Sequence, residues 1–210
     1  DSMLGLAYQR MLEVKNDRLK EVLDLFTQTA LEIGEGQQYD LEFESRMDVA
    51  EKEYIEMIRL KTSVLLACAL KIGAMLADAP EEEGNKLYNF GINMGLAFQL
   101  QDDYLDVYGD FKTFGKAIGG DILCDKKTFM LINAMNMAEE FDFGKQYDTP
   151  QEKISAVTNL YNELGIDKLA QEKIEYYFNL ARKNLDSVSL PLATKQPLYD
   201  YLNDMLKREK

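Results

Sequence analysis

Residues 98–126 read FQLQDDYLDVYGDFKTFGKAIGGDILCDK, and this stretch carries three aspartates on one predicted helix. Asp102 and Asp106 lie one helical turn apart, so their carboxylates leave the same face and can hold one hard cation together, with Asp103 beside them. A DDxxD string in an acidic protein is more often a solvated helix face. Here apolar side chains crowd the acids, which favours a site; they are Phe98, Leu100, Leu105 and Val107.

Two lysines follow the aspartates in a segment that glycines loosen. Lys116 and Lys126 stand on either side of Gly119 and Gly120. Carboxylates can hold a magnesium ion while ammonium groups hold phosphate oxygens. Acids on a helix with lysines on a nearby loop are therefore the arrangement that a magnesium-diphosphate ligand requires.

The composition indicates one all-α domain. The chain has 210 residues, of which 46% are hydrophobic, and this is enough for the core of a moderate domain. Its 4 prolines and 13 glycines leave long uninterrupted runs, which favour helices. No apolar run reaches transmembrane length and no signal peptide is visible, so we expect no stable membrane insertion.

Charge and missing residue types exclude several classes of function. The net charge of −13 argues against binding to nucleic acid or to an anionic membrane, and it would repel an anionic substrate unless metal ions intervene. Histidine is absent, which excludes Ser-His-Asp and Cys-His catalysis and zinc sites that need imidazole. Cys68 lies in an apolar run and Cys124 is isolated, so we expect no disulfide framework and a reducing, cytoplasmic compartment.

Apolar periodicity and helix breakers divide the chain into helices. Apolar stripes predict helices over residues 3–12, 19–33, 47–78, 81–109 and 128–141. Three shorter helices follow, and their boundaries are Thr149-Pro150, Gly165 and Pro191.

The string FQxxDDxLDxxGD, followed by GKxxGGDI and KKT, resembles the second aspartate-rich motif of the trans-isoprenyl diphosphate synthases, the polyprenyl synthetase family. The resemblance implies an all-α, single-domain helical bundle of the isoprenoid synthase type with a central apolar cavity, and a homodimer. Family members carry a first DDxxD motif upstream of a segment like GDxMLGLAYQ, and this sequence begins inside that segment. We therefore expect residues 1–210 to be the later two-thirds of such a domain, without its N-terminal helices.

The string EYIEMIRLKT resembles the family element YxxMIxxKT. In the family, this lysine contacts the allylic diphosphate and the threonine lies near the reacting carbons, which implies those roles for Lys61 and Thr62. From the residues alone, Lys61 either meets an acid or a phosphate, or extends its ammonium group to the surface.

Two shorter strings add candidate substrate contacts. GEGQQYD resembles the family's GQxxD element, which implies that Gln37 and Asp40 line the allylic pocket. Its two glycines are typical of a helix end or of a close packing contact. Phe98 and Gln99 match the FQ pair that flanks the homoallylic substrate in the family.

The resemblance implies a reaction in which an allylic diphosphate (dimethylallyl, geranyl or farnesyl) is joined head to tail to isopentenyl diphosphate. Mg²⁺, for which Mn²⁺ can substitute, draws charge onto the leaving diphosphate, and an allylic cation develops. The metal ligands implied are Asp102, Asp103 and Asp106, and the lysines implied to bind diphosphate are Lys61, Lys116 and Lys126. Thr62 and Gln99 would steady the positive charge.

Three other interpretations stay open at this point. A non-catalytic, synthase-like subunit suits a chain without the first aspartate motif, and we expect the isolated 210-residue chain to be inactive in prenyl transfer. A class I terpene cyclase shares the fold and the metal chemistry, although the FQxxDDxLD and GKxxGGD strings argue against it. A helical scaffold without a site is the third. In the family, product chain length depends on residues just before the first motif, which this sequence does not contain.

Overall fold

Every regular element of the described residues is helical, in a computed structural model that describes residues 2–14, 16–109, 118–138 and 140–207. The α-helices, numbered in chain order, are α1 (Ser2–Met11), α2 (Asn16–Ser45), α3 (Glu51–Ile58), α4 (Val64–Leu76), α5 (Glu81–Tyr108), α6 (Gly120–Leu123), α7 (Phe129–Met137), α8 (Pro150–Leu164), α9 (Ile166–Asp186) and α10 (Leu192–Leu206). A π-helical segment, Arg59–Ser63, joins α3 to α4 without a break. The predicted all-α fold is confirmed.

Two predicted helix boundaries before α3 are wrong: the helix predicted over residues 19–33 continues to Ser45, and the long buried helix predicted over residues 47–78 begins later than predicted. The chain leaves α2 at Ser45 and enters α3 only at Glu51. The Glu53 carboxylate accepts a hydrogen bond from the Ala50 backbone N–H at 2.9 Å and pairs with Arg46 at 2.7 Å. These contacts cap the helix at Ala50, since an acidic side chain satisfies an N–H that the first turn leaves unpaired.

The predicted boundaries around α5 and the last helices are confirmed. Pro80 precedes α5, and Thr149 accepts a hydrogen bond from the Glu152 N–H at the start of α8. Gly165 separates α8 from α9 with a φ of +70°, in the left-handed region that glycine enters without strain. Pro191 precedes α10.

The predicted helix over residues 128–141 is too long, because α7 ends at Met137. Phe141 and Phe143 follow in a loop, with ring centroids 4.8 Å apart, and both pack against the main core. These loop residues are therefore partly buried, and the apolar pattern alone does not distinguish such a loop from another helical turn.

The main core lies between α5 and α9, where Phe90, Ala97, Phe178 and Ala181 are buried. A second cluster joins α2 to α4 through Val22, Phe26, Cys68 and Ile72. Within the predicted stripe over residues 3–12, Ala7 and Met11 pack against this second cluster, whereas four other apolar side chains of these residues are exposed. They are Met3, Leu4, Leu6 and Leu12.

Within the described ranges, no helix combines the length and the apolar character that a membrane span needs. Both cysteines are free: Cys68 is buried and Cys124 is exposed. The boundaries predicted for the domain, residues 1–210, and its central cavity stay predictions.

Candidate functional site

Lys61 of the π-helical segment faces Asp40 of α2. Its Nζ lies 2.6 Å from Asp40 Oδ2, and the lysine side chain keeps 36% of its surface exposed. Of the two environments predicted for Lys61, the structure therefore supports contact with an acid. Because the ammonium group is only partly covered, it can also contact an anionic ligand from the open side.

Gly36 lets α2 approach this segment at backbone distance. A Cβ atom at Gly36 would lie 2.5 Å from the Lys61 backbone nitrogen and 2.8 Å from Leu60 Cβ. Both distances are shorter than a van der Waals contact, so only glycine fits at this position. The glycines of GEGQQYD are inside α2, so the helix-end interpretation is wrong and the close-packing interpretation holds for Gly36. Gln37, the next residue, is exposed.

A chain of hydrogen bonds links the π-helical segment to the acidic part of α5. Thr62 Oγ1 donates to Gln99 Oε1 at 3.0 Å, and Gln99 Nε2 donates to Asp103 Oδ1 at 3.0 Å. Tyr54 of α3 then donates its hydroxyl to Asp103 Oδ2 at 2.6 Å. Residues that are distant in sequence thus hold one another in fixed orientations.

Asp103 is the buried centre of this network, with 3% of its surface exposed. Burial raises the pKa of Asp103, and the ammonium group of Lys126, the Tyr54 hydroxyl and the Gln99 amide oppose that shift. Burial and the neighbouring Asp103 carboxylate also raise the pKa of Tyr54, so the phenol stays protonated and donates. Both carboxylate oxygens of Asp103 already accept from protein donors.

Lys126 lies between two carboxylates that come from different elements. Its Nζ is 3.5 Å from Asp103 Oδ1 and 3.2 Å from Asp121 Oδ1. Burial disfavours the charged form of Lys126, but attraction to the two carboxylates outweighs it and raises the pKa of the lysine. Burial, followed by repulsion from Asp103, raises the pKa of Asp121 to about 6. Lys126 therefore stays charged and is held in place.

Asp106 anchors the backbone that precedes Lys126. Its Oδ2 accepts from the Asp121 N–H at 2.8 Å, and its backbone carbonyl accepts from the Gly119 N–H at 2.6 Å. Gly119 has a φ of +85°, which permits the sharp return of the chain towards α5. The other carboxylate oxygen of Asp106, Oδ1, lies near Gly120 and accepts no hydrogen bond from a residue that the structure describes.

The Asp102 carboxylate differs from those of Asp103 and Asp106, because it forms no hydrogen bond or ion pair with a residue in the described ranges. In those ranges, no three Asp, Glu, Cys or His side chains converge closely enough to form a metal site by themselves. Asp102 and Asp106 still share a face of α5. One or two carboxylates, with water as the remaining ligands, are the donor set that Mg²⁺ usually has in proteins, so these residues fit that ion.

The structure brings most of the predicted site residues together where α2, the π-helical segment, α5 and residues 118–126 meet. Phe98 is half-buried against the main core beside Gln99, and Lys116 lies outside the described residues. Sequence reasoning missed the contacts of Tyr54 with Asp103 and of Asp121 with Lys126. The sequence signals for these two contacts were the tyrosine of YxxMIxxKT and the aspartate of GGDI.

Comparison with known proteins gives a consistent result. The family model described as polyprenyl synthetase matches residues 1–164. A geranylgeranyl diphosphate synthase of Methanosarcina mazei is 37% identical over 84% of this chain and 55% of its own length. A short chain isoprenyl diphosphate synthase of Methanocaldococcus jannaschii is 40% identical over 67% of this chain and 43% of its own.

Solved structures agree with these relatives. A geranylgeranyl pyrophosphate synthase crystal structure superimposes with a TM-score of 0.89 at 38% identity, over 100% of this chain and 67% of that one. The synthetase of that name from Pyrococcus horikoshii gives a TM-score of 0.84 at 30% identity, over 94% and 61% of the two chains. The chain spans about half the length of the curated relatives that it matches.

Proposed function

The chain belongs to the polyprenyl synthetase family, and on that premise we propose that it forms the diphosphate-binding part of a trans-prenyltransferase. The enzyme would join an allylic diphosphate to isopentenyl diphosphate, head to tail, and so give a longer polyprenyl diphosphate. The observation that carries the proposal is that carboxylates hold two partly exposed ammonium groups near the acidic part of α5: Asp40 pairs with Lys61 and also raises the pKa of Lys126, whose Nζ lies 3.5 Å from Asp103 Oδ1. Lys116 stays a predicted third contact.

The two lysines suit diphosphate oxygens for the same physical reason. Each is held by a carboxylate, yet the Lys61 and Lys126 side chains are 36% and 37% exposed. A charged, partly exposed and oriented ammonium group binds phosphate oxygens through charge-assisted hydrogen bonds. Asp40, paired with Lys61, is proposed to hold that lysine in the allylic pocket together with Gln37, and Phe98 is proposed to flank the homoallylic substrate.

The proposed metal is Mg²⁺, with Mn²⁺ as a substitute, held by Asp102 and Asp106. When bound, the ion would neutralise charge on the leaving diphosphate. Asp103 is given a different role from the one expected from sequence. Since its oxygens accept from Tyr54, Gln99 and Lys126, it orients these groups and is a poor candidate for a direct metal ligand.

Thr62 and Gln99 are proposed to face the positive charge that develops on the allylic fragment. The Gln99 amide oxygen accepts from Thr62, while its NH₂ group donates to Asp103, so the amide orientation is fixed. Its oxygen is thereby presented towards the π-helical segment, where an electron-rich group can stabilise a cation without having to reorient.

The proposal is tested by binding and by turnover. Pyrophosphate titrated into the protein by calorimetry should bind with Mg²⁺ or Mn²⁺ and lose at least about tenfold in affinity with EDTA, because metal must bridge like charges. Equal affinity in both conditions would contradict the metal bridge. The full product of the gene should extend dimethylallyl, geranyl or farnesyl diphosphate with labelled isopentenyl diphosphate.

Other outcomes distinguish the alternatives. Metal-dependent pyrophosphate binding without extension of any allylic substrate would identify a non-catalytic subunit, and a cyclic product without isopentenyl diphosphate would identify a cyclase. The 210-residue chain assayed alone should be inactive, and turnover equal to that of a longer gene product would contradict this expectation. A homodimer and a cytoplasmic location are further proposals, which gel filtration and fractionation test.

A further inference from the structure

We propose that Tyr54 is a positioning residue for this site, and that it acts through Asp103 on both Lys126 and Gln99. The inference rests on the proposed function and adds a residue that neither the resemblance nor the metal chemistry assigns. Tyr54 lies on α3, whereas Asp103 lies on α5, so the contact also fixes the spacing of two elements that line the site.

The contact is short and inaccessible to water. Tyr54 has 0% of its surface exposed and Asp103 has 3%. The hydroxyl is 2.6 Å from Oδ2, which is typical of an O–H donor to a charged carboxylate. A hydrogen bond of this kind stabilises more than a neutral one does, and a buried carboxylate oxygen that loses its donor costs free energy.

The two oxygens of Asp103 have different donors. Oδ1 is shared by Gln99 at 3.0 Å and Lys126 at 3.5 Å. Oδ2 accepts from Tyr54, which is its sole protein donor in the described part of the chain. Removing the hydroxyl therefore leaves one oxygen without a donor, and the carboxylate gains by turning that oxygen towards Lys126.

Such a rotation would change both sides of the site. Lys126 would move relative to Asp121, its second carboxylate partner, which is 3.2 Å away. Gln99 would lose the acceptor that fixes its amide orientation, and its oxygen would no longer be held at Thr62. Tyr54 itself is packed in the core and does not reach the open side, so it acts through Asp103 and not by touching substrate.

The test uses Tyr54→Phe, which removes only the hydroxyl, in the full gene product. The matched control is Tyr161→Phe, since Tyr161 is 2% exposed and its hydroxyl makes no hydrogen bond to a residue of the described ranges. Tyr54→Phe should lower kcat and the affinity for magnesium pyrophosphate by about tenfold each, as expected for a lost hydrogen bond to a charged group. The control should change each by less than about twofold.

A double-mutant cycle separates positioning from a general structural effect. In an Asp103→Asn background, Tyr54→Phe should change pyrophosphate affinity by less than about twofold, because the group through which it acts has already been altered. Independent, multiplicative effects would overturn the proposal. So would equal results for Tyr54→Phe and Tyr161→Phe, or a loss of Tm in Tyr54→Phe too large for binding to be measured.

The pyrophosphate-binding measurement tests this inference separately from the proposed function. Pyrophosphate affinity is measured without turnover, so an absence of prenyl transfer in the unsubstituted protein would count against the function and leave the coupling measurable. Conversely, normal prenyl transfer with no coupling between the two substitutions would leave the function intact and exclude Tyr54 from the site.

Discussion

Helix α5 presents one face to the α3–α4 helix, and the two halves of that face are built differently. In the first half, glycines meet backbone: a Cβ at Gly91 would lie 2.5 Å from Ala67 Cα, and one at Gly95 would lie 2.6 Å from Ser63 Cα. In the second half, side chains bridge the gap, as Gln99 does to Thr62 and Asp103 to Tyr54.

The difference shows how one helix can serve two purposes. Where glycines allow backbone contact, no room is left for a ligand and packing alone fixes the helix pair. One turn after Gly95, polar side chains fill the space instead, and one of them, Asp103, contacts the charged Lys126. We therefore expect substitutions in the first half to act on stability and those in the second half to act on chemistry.

Asp102→Ala should give the largest effect and act on chemistry alone. Loss of a metal ligand should reduce kcat by at least about a hundredfold. The Tm should stay unchanged or rise slightly, because removal of one acid relieves repulsion among neighbouring acids. Product formation and thermal unfolding measure the two quantities, with exposed Glu81→Ala on the same helix as control. A large loss of Tm with turnover retained would show that the aspartates are structural.

Gly91→Ala should disturb the packing of α5 against α4 in the first half of this face and so lower the stability of the protein. Its Cβ would meet the Ala67 backbone, which cannot yield as a flexible side chain can, so we expect a loss of about 1–3 kcal/mol in the free energy of unfolding. Gly73→Ala on α4 is the control, since nothing lies within 4 Å of its added Cβ and the alanine should stabilise the helix by up to about 1 kcal/mol. Equal shifts in urea midpoints would refute the packing argument.

Gly36→Ala tests whether close helix packing also positions a residue of the candidate site, Lys61. Its Cβ would press on the Lys61 backbone nitrogen, so we expect a roughly tenfold fall in kcat/KM, the effect of about 1.4 kcal/mol at the site. Gly34→Ala, two residues earlier, meets nothing within 4 Å and should leave kcat/KM unchanged. If both variants behave alike, the contact between Gly36 and Lys61 does not position the lysine.

The sequence predicted the helices and most of the residues that the structure brings together at the candidate site, because apolar periodicity and the spacing of charged residues are local properties. Pro80 and Gly165 marked boundaries that the structure retains. The end of α2, the start of α3 and the end of α7 were misplaced; the start of α3, for example, depends on a contact made in the folded chain, the pairing of Arg46 with Glu53. The hydrogen bond from Tyr54 to Asp103 joins residues far apart in sequence, which periodicity cannot detect.

The π-helical segment has a consequence for the rotational phase of the helix that contains it. Tyr54 and Thr62 are eight residues apart, and in a regular α-helix that spacing ends about 80° beyond two full turns. Because a π-helical turn contains more residues than an α-helical turn, the π-helical segment Arg59–Ser63 reduces this excess rotation. The Tyr54 phenol and the Thr62 hydroxyl can then both contact the same face of α5. Deleting one residue from the segment would turn Tyr54 away from Asp103 while every residue of α4 kept its place.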